Sequence, residues 1–395
     1  MMKVMFVVAT DLSANNSAVM CHNAYIRGMV EAGHIVSVIT VNDTAKQIDG
    51  NIEGVEYYRY SDENFIVSRI RKNRVESQAP VSSNVTTNRK TLSSRIKLLA
   101  YKIGIACFGA EKTLRRRANR FKSEIIYDAV ISLASPANSH VIAHDLIKRG
   151  RIKCKHSCQI WEDPWAMDLY GGYNEKIKKK EEKILAFAEK VLYVTPMTMC
   201  NQQKLFKTNA EKMDWLPLPS YFEDSSGYSL DDGKITYGYF GQYYPNVRNL
   251  EPFYKATVLK GKYVIICGDP SNLFESTDKI QIYPRVSIEE LNEFDKKTDV
   301  LVCLANLGGG QIPGKIYQYS ASVKPILFIL DGNEEEKGIL REYFSQFERY
   351  AFCDNTVESI CNAMVEIEKE YKQYSPIEYF TAKNIANEIL SKINS

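Results

Sequence analysis

The chain has 395 residues, of which 45% are hydrophobic and 25% are charged, and its formal net charge is +3. This composition is ordinary for a globular protein, and the length suffices for two domains. The near balance of charge argues against nucleic acid as a partner, and none is predicted. Nine cysteines without framework spacing favour a reducing compartment. Because no apolar run is long enough for a spanning helix or a signal peptide, we expect a cytoplasmic protein.

The first residues predict a βαβ unit. Residues 3–9 form an apolar run, a polar loop follows at 10–17, a helical pattern extends to about Gly33, and residues 35–41 are apolar again. A strand, a helix and a strand over this length predict a parallel sheet. Ligands of such sheets bind at the carboxyl ends of the strands, although turn and capping residues occur there too. The polar residues at this point are Asp11, Ser13, Asn15 and Asn16.

A polar stretch and a basic segment follow. Residues 73–94 are rich in Ser, Thr and Asn and predict a mobile loop. Residues 89–122 contain eleven Lys or Arg, interleaved with apolar residues, and one acid, Glu111. A basic amphipathic segment is typical of an element that binds a membrane surface, and also of a solvated helix face. Both interpretations stay open, and the membrane surface is a predicted partner.

Two further strand ends carry candidate side chains. Residues 127–133 predict a strand, and His140 begins the next helix, beside Ser135. A later strand ends at Trp161, and its loop holds a second tryptophan, Trp165, and three carboxylates. Tryptophan stacks on sugar rings and carboxylates bind sugar hydroxyls, but both tryptophans also suit packing between elements. The carboxylates are Glu162, Asp163 and Asp168.

A possible zinc motif precedes this loop. Cys154, His156 and Cys158 are close in sequence, but no further ligand pair lies nearby and the segment leads into a strand. We therefore predict no metal site. The charged residues 176–183 predict a solvated helix face.

The second half repeats the alternation of strands and helices. Strands are predicted at 235–240, 263–267, 279–283, 300–304, 325–330 and 350–353, and helices at 288–297, 357–371 and 377–393. The repeat predicts a second α/β domain. We predict domains at residues 1–222 and 233–376, a linker at 223–232, and a carboxyl-terminal helix within 377–395 that packs on the first domain.

A glycine loop lies near the centre of the second half. Gly308, Gly309 and Gly310 separate a strand from a helix predicted over residues 315–322. Glycine lets a backbone approach a ligand closely, and Lys315 would supply a positive charge at the helix start. The loop therefore indicates either a phosphate-binding corner or an ordinary tight turn.

Five segments resemble motifs of the GT-B glycosyltransferases, in particular the retaining, nucleotide-sugar-dependent group 1 or family 4-like enzymes. Residues 239–249 resemble the Gly-Arg…Lys-Asn element, and 265–268 a strand that ends in glycine. Residues 283–304 resemble the run that precedes the donor motif. Residues 313–325 resemble the motif itself, Pro-x-Lys-x-x-Glu-Tyr-x-Ala-x-x-Lys-Pro. Residues 163–165 resemble an acceptor-side Asp-x-Trp loop of polysaccharide-building members.

The resemblance implies a fold and a reaction. The fold would be GT-B, with two Rossmann-like domains whose parallel sheets face a cleft. The reaction would move a sugar from a UDP- or GDP-sugar to a lipid-linked glycan acceptor. It would belong to bacterial-type surface polysaccharide synthesis, such as that of capsule or O-antigen. It would retain configuration without a metal or prosthetic group, because cations and backbone N–H groups can stabilise the leaving diphosphate. That diphosphate could itself take the acceptor's proton.

The resemblance, together with the polar residues found at the strand ends, gives the candidate site residues. The catalytic candidates are Arg248, Lys315, Asp163 and His140. The acceptor would bind Asn15, Asn16, Asp163 and Trp165. The donor would bind Gly241, Gln242, Arg248, Asn249, Gly268, Arg285, Gly310, Lys315 and Gln318.

The sequence departs from the family pattern at several of these positions. Gln242 stands where the family has its first basic residue, and Gly310 and Gln318 stand where it often has two glutamates. Two alternatives therefore remain beside the transferase. One is a degenerate relative that acts as a binding or assembly subunit. The other is a sugar-nucleotide epimerase on the same fold, which would need the carboxylates that are absent here.

Overall fold

The computed structural model describes residues 1–14, 16–41, 52–64, 68, 109–167, 173–220 and 234–395. Several predictions concern residues outside these ranges. They are the candidate Asn15, the mobile loop at 73–94, the basic residues from 89 to 108, the carboxylate of Asp168 and the linker at 223–232.

The first sheet has seven strands in the order β3-β2-β1-β4-β5-β6-β7. Strand β1 pairs in parallel with both β2 and β4, as the predicted βαβ unit requires. The strands are β1 (Lys3–Val8), β2 (Ile35–Val41), β3 (Val55–Tyr60), β4 (Ile126–Ala134), β5 (Lys153–Trp161), β6 (Lys190–Tyr193) and β7 (Met213–Trp215). The helices of this half are α1 (Ser17–Glu31), α2 (Ala110–Ala118), α3 (Asn138–Lys148), α4 (Glu175–Leu185) and α5 (Pro196–Leu205).

The second sheet has six strands in the order β10-β9-β8-β11-β12-β13, and its pairs are parallel. The strands are β8 (Thr236–Phe240), β9 (Tyr263–Cys267), β10 (Ile280–Tyr283), β11 (Val300–Leu304), β12 (Ile326–Leu330) and β13 (Tyr350–Asp354). The helices are α6 (Glu251–Lys260), α7 (Ile288–Lys296), α8 (Lys315–Tyr319), α9 (Glu334–Ser345), α10 (Val357–Lys369) and α11 (Ala382–Asn394). Short 3₁₀ helices occur at Lys207–Lys212 and Glu378–Phe380. The predicted fold class, α/β with two parallel Rossmann-like sheets, is confirmed.

Continuous apolar runs became central strands because both faces of a parallel sheet are covered by helices. All residues of β11 and β12 are buried, and so are five of the six in β1. Side-chain caps define several helix starts, since an oxygen there satisfies a free backbone N–H. Thr195, Ser287, Asn333 and Thr356 each cap a helix in this way.

The chain divides into two compact units. One comprises residues 1–162, 183–191 and 391–395, and the other 163–182 and 192–390. None of the helices in the described part of the chain combines the length and the apolar character that crossing a bilayer requires.

Three elements differ from the sequence prediction. Helix α8 ends at Tyr319 instead of Ser322, because the buried guanidinium of Arg349 binds the carbonyl oxygens of Ser320, at 2.7 Å, and of Ser322, at 2.7 Å. Strand β5 begins at Lys153, so the cysteines and histidine that resembled a zinc motif lie along a strand. Helix α4 is less solvated than predicted, because Glu181 within it is fully buried.

Candidate functional site

Three basic residues lie around one end of the second sheet. Lys315 begins α8, Arg248 follows β8, and Arg285 follows β10. Their charges interact, since Arg248 and Arg285 both lower the pKa of Lys315. Among the described residues, no carboxylate forms an ion pair with any of the three. Unpaired cations gathered at strand ends are suited to an anionic ligand.

The surroundings of the Lys315 nitrogen control its charge. The residue as a whole is exposed, but Nζ donates to the carbonyl oxygen of Phe240 and is closely surrounded by protein. Desolvation, with the charges of Arg248 and Arg285, lowers the pKa of Lys315 to about 8, while the Cys267 thiol acts in the opposite direction. The pKa follows the environment of the nitrogen rather than the exposure of the side chain. Lys315 is therefore charged at neutral pH and loses its charge just above it.

The guanidinium of Arg248 is oriented by an amide. Its Nε donates to Oδ1 of Asn306 at 2.7 Å, and Nδ2 of Asn306 donates to the carbonyl oxygen of Gln311 at 2.9 Å. Asn306 is buried, whereas Arg248 is half-buried. Sequence reasoning selected Arg248 and missed Asn306, for which the only available signal was its position after a buried strand.

The backbone comes unusually close to itself beside these cations. A Cβ on Gly268 would lie 1.8 Å from the carbonyl oxygen of Gly241, so glycine is required at 268. The N–H of Gly241 donates to the carbonyl of Cys267 at 2.9 Å, which ties the ends of β8 and β9 together. A Cβ on Gly241 would lie 3.7 Å from Lys315 Nζ. The predicted donor glycines therefore lie with Lys315.

Two other predicted donor residues have local structural roles. Gln242 is exposed, and its carbonyl accepts a hydrogen bond from the Tyr239 hydroxyl at 2.8 Å. Asn249 accepts from the N–H of Glu251 at 3.2 Å, close to the start of α6.

Hydrogen bonds hold the glycine loop at the start of α5. The carbonyl of Gly310 accepts hydrogen bonds from the hydroxyls of Thr195, at 2.7 Å, and Thr198, at 3.1 Å. Gly310 has φ of 71°, and a Cβ there would lie 3.1 Å from Cβ of Met197. The position that resembles a family glutamate thus has little room for a side chain. Gln318, at the second such position, donates to the carbonyl of Pro219 at 3.2 Å.

Residues 163–167, called here the acceptor-side loop after the motif that they resemble, contact the end of the glycine loop. Nε2 of Gln311 donates to Oδ1 of Asp163. Two residues further, Trp165 is 37% exposed, a degree that allows its ring to contact a ligand.

A buried acid holds the acceptor-side loop. Glu181 accepts the backbone N–H of Ala166 at 2.6 Å and of Trp165 at 3.3 Å. Desolvation raises the pKa of Glu181 to about 7, although both backbone hydrogen bonds act in the opposite direction. Sequence reasoning missed this residue because a glutamate in a lysine-rich run resembles a surface charge.

Candidates in the first unit lie at the ends of β1, β4 and β5. Asn16 caps α1, accepting the N–H of Val19 at 3.0 Å, so its predicted capping role is observed. His140 is buried, with Nδ1 2.7 Å from the Ser132 hydroxyl and its ring against Trp161. Desolvation, with the charge of His22, lowers the pKa of His140 to about 3, so its imidazole is neutral.

A buried histidine and a carboxylate form a second pair there, which the sequence did not reveal. Nε2 of His22 lies 3.3 Å from Oε1 of Glu162, whose side chain is 11% exposed. The same nitrogen lies 3.3 Å from the carbonyl oxygen of Ala134. Because β5 ends one residue before Glu162, this carboxylate stands at a sheet edge where doubly wound folds bind ligands.

Among the described residues, no three His, Cys, Asp or Glu side chains are arranged to hold a metal ion. His156 instead lies 3.4 Å from a carboxylate oxygen of Glu189.

Solved structures resemble this chain over its whole length. The catalytic domain of starch synthase IV from Arabidopsis thaliana, bound to ADP and acarbose, matches with a TM-score of 0.64 at 9% identity, covering 100% of this chain and 99% of that one. Sucrose-phosphate synthase from Thermosynechococcus elongatus matches with a TM-score of 0.53 at 12% identity, covering 100% and 95%. By sequence, no protein-family model and no curated protein matches. At these identities the likeness establishes the fold, and the chain has the GT-B architecture.

Proposed function

We propose that this protein is a glycosyltransferase that moves a sugar from a nucleotide diphosphate sugar, with UDP or GDP as the nucleotide, to a glycan acceptor. The observation that carries the proposal is the group of Arg248, Arg285 and Lys315, which has no paired carboxylate among the described residues. Such a group can stabilise a leaving diphosphate, the charge that develops in this reaction.

The finer features of the proposal follow the sequence resemblance. They are retention of configuration, a lipid-linked acceptor, a role in bacterial-type surface polysaccharide synthesis and a cytoplasmic location. Gly241, Gly268 and Gln318 would complete the donor site, and Asp163 with Trp165 would contact the acceptor. The domain limits at 222 and 233 also remain part of the proposal.

Nucleotide titration tests the donor site. Arg248→Ala and Lys315→Ala should each weaken UDP or GDP binding by about tenfold or more, because each removes a charged hydrogen-bond donor. Lys383→Ala, an exposed lysine on α11, is the matched control for loss of one charge. Unchanged affinity in both site variants, measured by calorimetry, would show that the donor site is elsewhere.

A second candidate is a catalytically inactive binding subunit. The observation that favours it is the lack of acids at positions 310 and 318, the first of which has no room for one. A panel of nucleotide sugars separates the two functions, since a transferase should slowly hydrolyse its own donor. A protein that binds UDP or GDP and hydrolyses none of the sugars would favour the binding subunit.

Contact of the basic segment 89–122 with a membrane surface can be tested through its described residues, 109–122. In α2, Arg115 binds Asp145 and Arg117 donates to the carbonyl of Ser61 at 2.8 Å, so both have internal roles. The triple change Lys112→Ser, Arg116→Ser and Arg120→Ser should instead reduce sedimentation with phosphatidylglycerol vesicles. The same number of serines at Lys176, Lys179 and Lys180 is the control. Equal sedimentation of both triple variants would count against contact through this segment.

A further inference from the structure

A chain of hydrogen bonds joins the cation group to the acceptor-side loop within one unit. It runs from Arg248 through Asn306 to the backbone of Gln311, and from the side chain of Gln311 to Asp163. Asn306 is 6% exposed. A buried amide is tolerated only where its polar atoms have partners, so the two partners of Asn306 determine how it is held.

Both ends of the Asn306 side chain are fixed by their partners. Arg248 Nε can only donate and the Gln311 carbonyl can only accept, so the amide has one satisfactory orientation. Consequently Asn306 occupies the Nε of the Arg248 guanidinium. The edge formed by the two terminal nitrogens, Nη1 and Nη2, is then the one that can face a ligand. That edge can bind two phosphate oxygens at once.

Gln311 connects this arrangement to the loop that carries Trp165. Its carbonyl is held by Asn306 and its side-chain amide by Asp163. Gln311 therefore contacts the amide that orients Arg248 with its backbone, and Asp163 with its side chain.

We propose that Asn306 and Gln311 are positioning residues of the donor site. Asn306 presents the free edge of Arg248 to the diphosphate, and Gln311 links occupation of that site to the order of residues 163–167. The inference rests on the proposed donor site. It adds which residue orients Arg248 for the diphosphate and which residue links that site to residues 163–167.

Calorimetry with UDP, GDP, inorganic pyrophosphate and uridine tests the role of Asn306. Asn306→Ala should weaken pyrophosphate and the nucleoside diphosphates by about tenfold, because a guanidinium that Asn306 no longer orients has to be ordered when the ligand binds. Uridine binding should not change, whereas general structural damage would affect it. Asn306→Asp should weaken the anions further, because its carboxylate would pair with Arg248. Wild-type pyrophosphate and diphosphate affinity in both variants would overturn the assignment.

Fluorescence tests the role of Gln311, because Trp165 lies two residues from Asp163. UDP, GDP or pyrophosphate should change the emission of the wild-type protein, and Trp165→Phe should remove that change. In Gln311→Ala the ligand should still bind, but the Trp165 signal should be lost. A full signal in Gln311→Ala, or none in the wild type despite binding, would refute the link. A wild-type protein that binds none of the anions would instead refute the donor site itself.

Discussion

At the scale of single residues, Lys315 carries the clearest dependence on pH. Its pKa of about 8 in the free protein means that the charge disappears on mild alkalinisation. A bound diphosphate would favour the charged form, so binding above this pKa requires uptake of a proton. We expect UDP or GDP affinity to fall by up to about tenfold per pH unit above pH 8, as linkage requires.

Calorimetry across this range, with Lys315→Arg as the comparison, checks the expectation. The arginine stays charged, so its affinity should remain nearly level. Parallel profiles for the two proteins would assign the pH dependence to another group.

Glu181 gives a second residue-scale prediction, for stability. Its pKa of about 7 in the folded protein lies above the ordinary value of 4.5, so the folded state binds this proton more tightly than the unfolded state. Its contribution is therefore present below pH 4.5 and is lost as pH rises through 7, at a cost of up to about 3 kcal/mol. The free energy of unfolding of the wild type, minus that of Glu181→Gln, should therefore fall by up to this amount as pH rises, because only the wild type has an acid that ionises here. A constant difference, measured by urea unfolding at several pH values, would contradict this.

A residue's role could be predicted where it depends on neighbours in the sequence, and not where it depends on distant partners. Arg248 and Lys315 stand in motifs that sequence alone can display. Asn306, Glu162 and Glu181 acquire meaning only through partners distant in the chain or through burial, as in the contact of Glu162 with His22. Sequence spacing does not contain that information.

At the scale of elements, the glycine loop leaves little room for a side chain at position 310, where the motif that this sequence resembles often has a glutamate. Gly310 combines a left-handed backbone with contact to Met197. Gly310→Ala should destabilise the protein by about 1–2 kcal/mol, the cost of a side chain in this conformation, and Gly310→Glu by more. Restoring the glutamate should therefore not raise activity.

Thermal unfolding measures the cost, and Gly338 supplies the control. Gly338 lies in α9 with open space around it, so Gly338→Ala should stabilise the protein by about 0.5–1 kcal/mol. If Gly310→Glu unfolds at the wild-type temperature, the loop can accept a side chain and this explanation is wrong.

Helix α2 provides another element-scale prediction. Arg115 contacts both carboxylate oxygens of Asp145, at 2.6 and 2.9 Å, and Asn119 supports the same carboxylate at 2.9 Å. Arg115→Ala should cost about 1–3 kcal/mol, because a mostly buried carboxylate loses its cation. Lys112→Ala, on the same helix, should cost almost nothing. Equal unfolding temperatures for the two variants would mean that the ion pair adds no stability.

At the scale of the whole molecule, the sequence was sufficient for the architecture. Apolar runs in a parallel sheet are continuous, so strands such as β2, β9 and β11 were predicted with their observed limits. The half-buried β3 (Val55–Tyr60) and helix α9 were missed, because their patterns are weaker and their packing is decided by neighbours. The grouping of residues 163–182 with residues 192–390 is likewise a property of contacts, which no local pattern displays.

Arg349 has a consequence for the order in which the site can form. Its buried guanidinium holds the carbonyls that end α8, the helix that begins with Lys315, yet it lies 34 positions later in the chain. During synthesis Lys315 therefore leaves the ribosome well before Arg349, which binds the carbonyls that follow its helix. Until β13 has been made and paired, the nascent chain lacks the hydrogen bonds from Arg349 that hold the end of this helix. The proposed nucleotide recognition should therefore be among the last properties that the chain acquires.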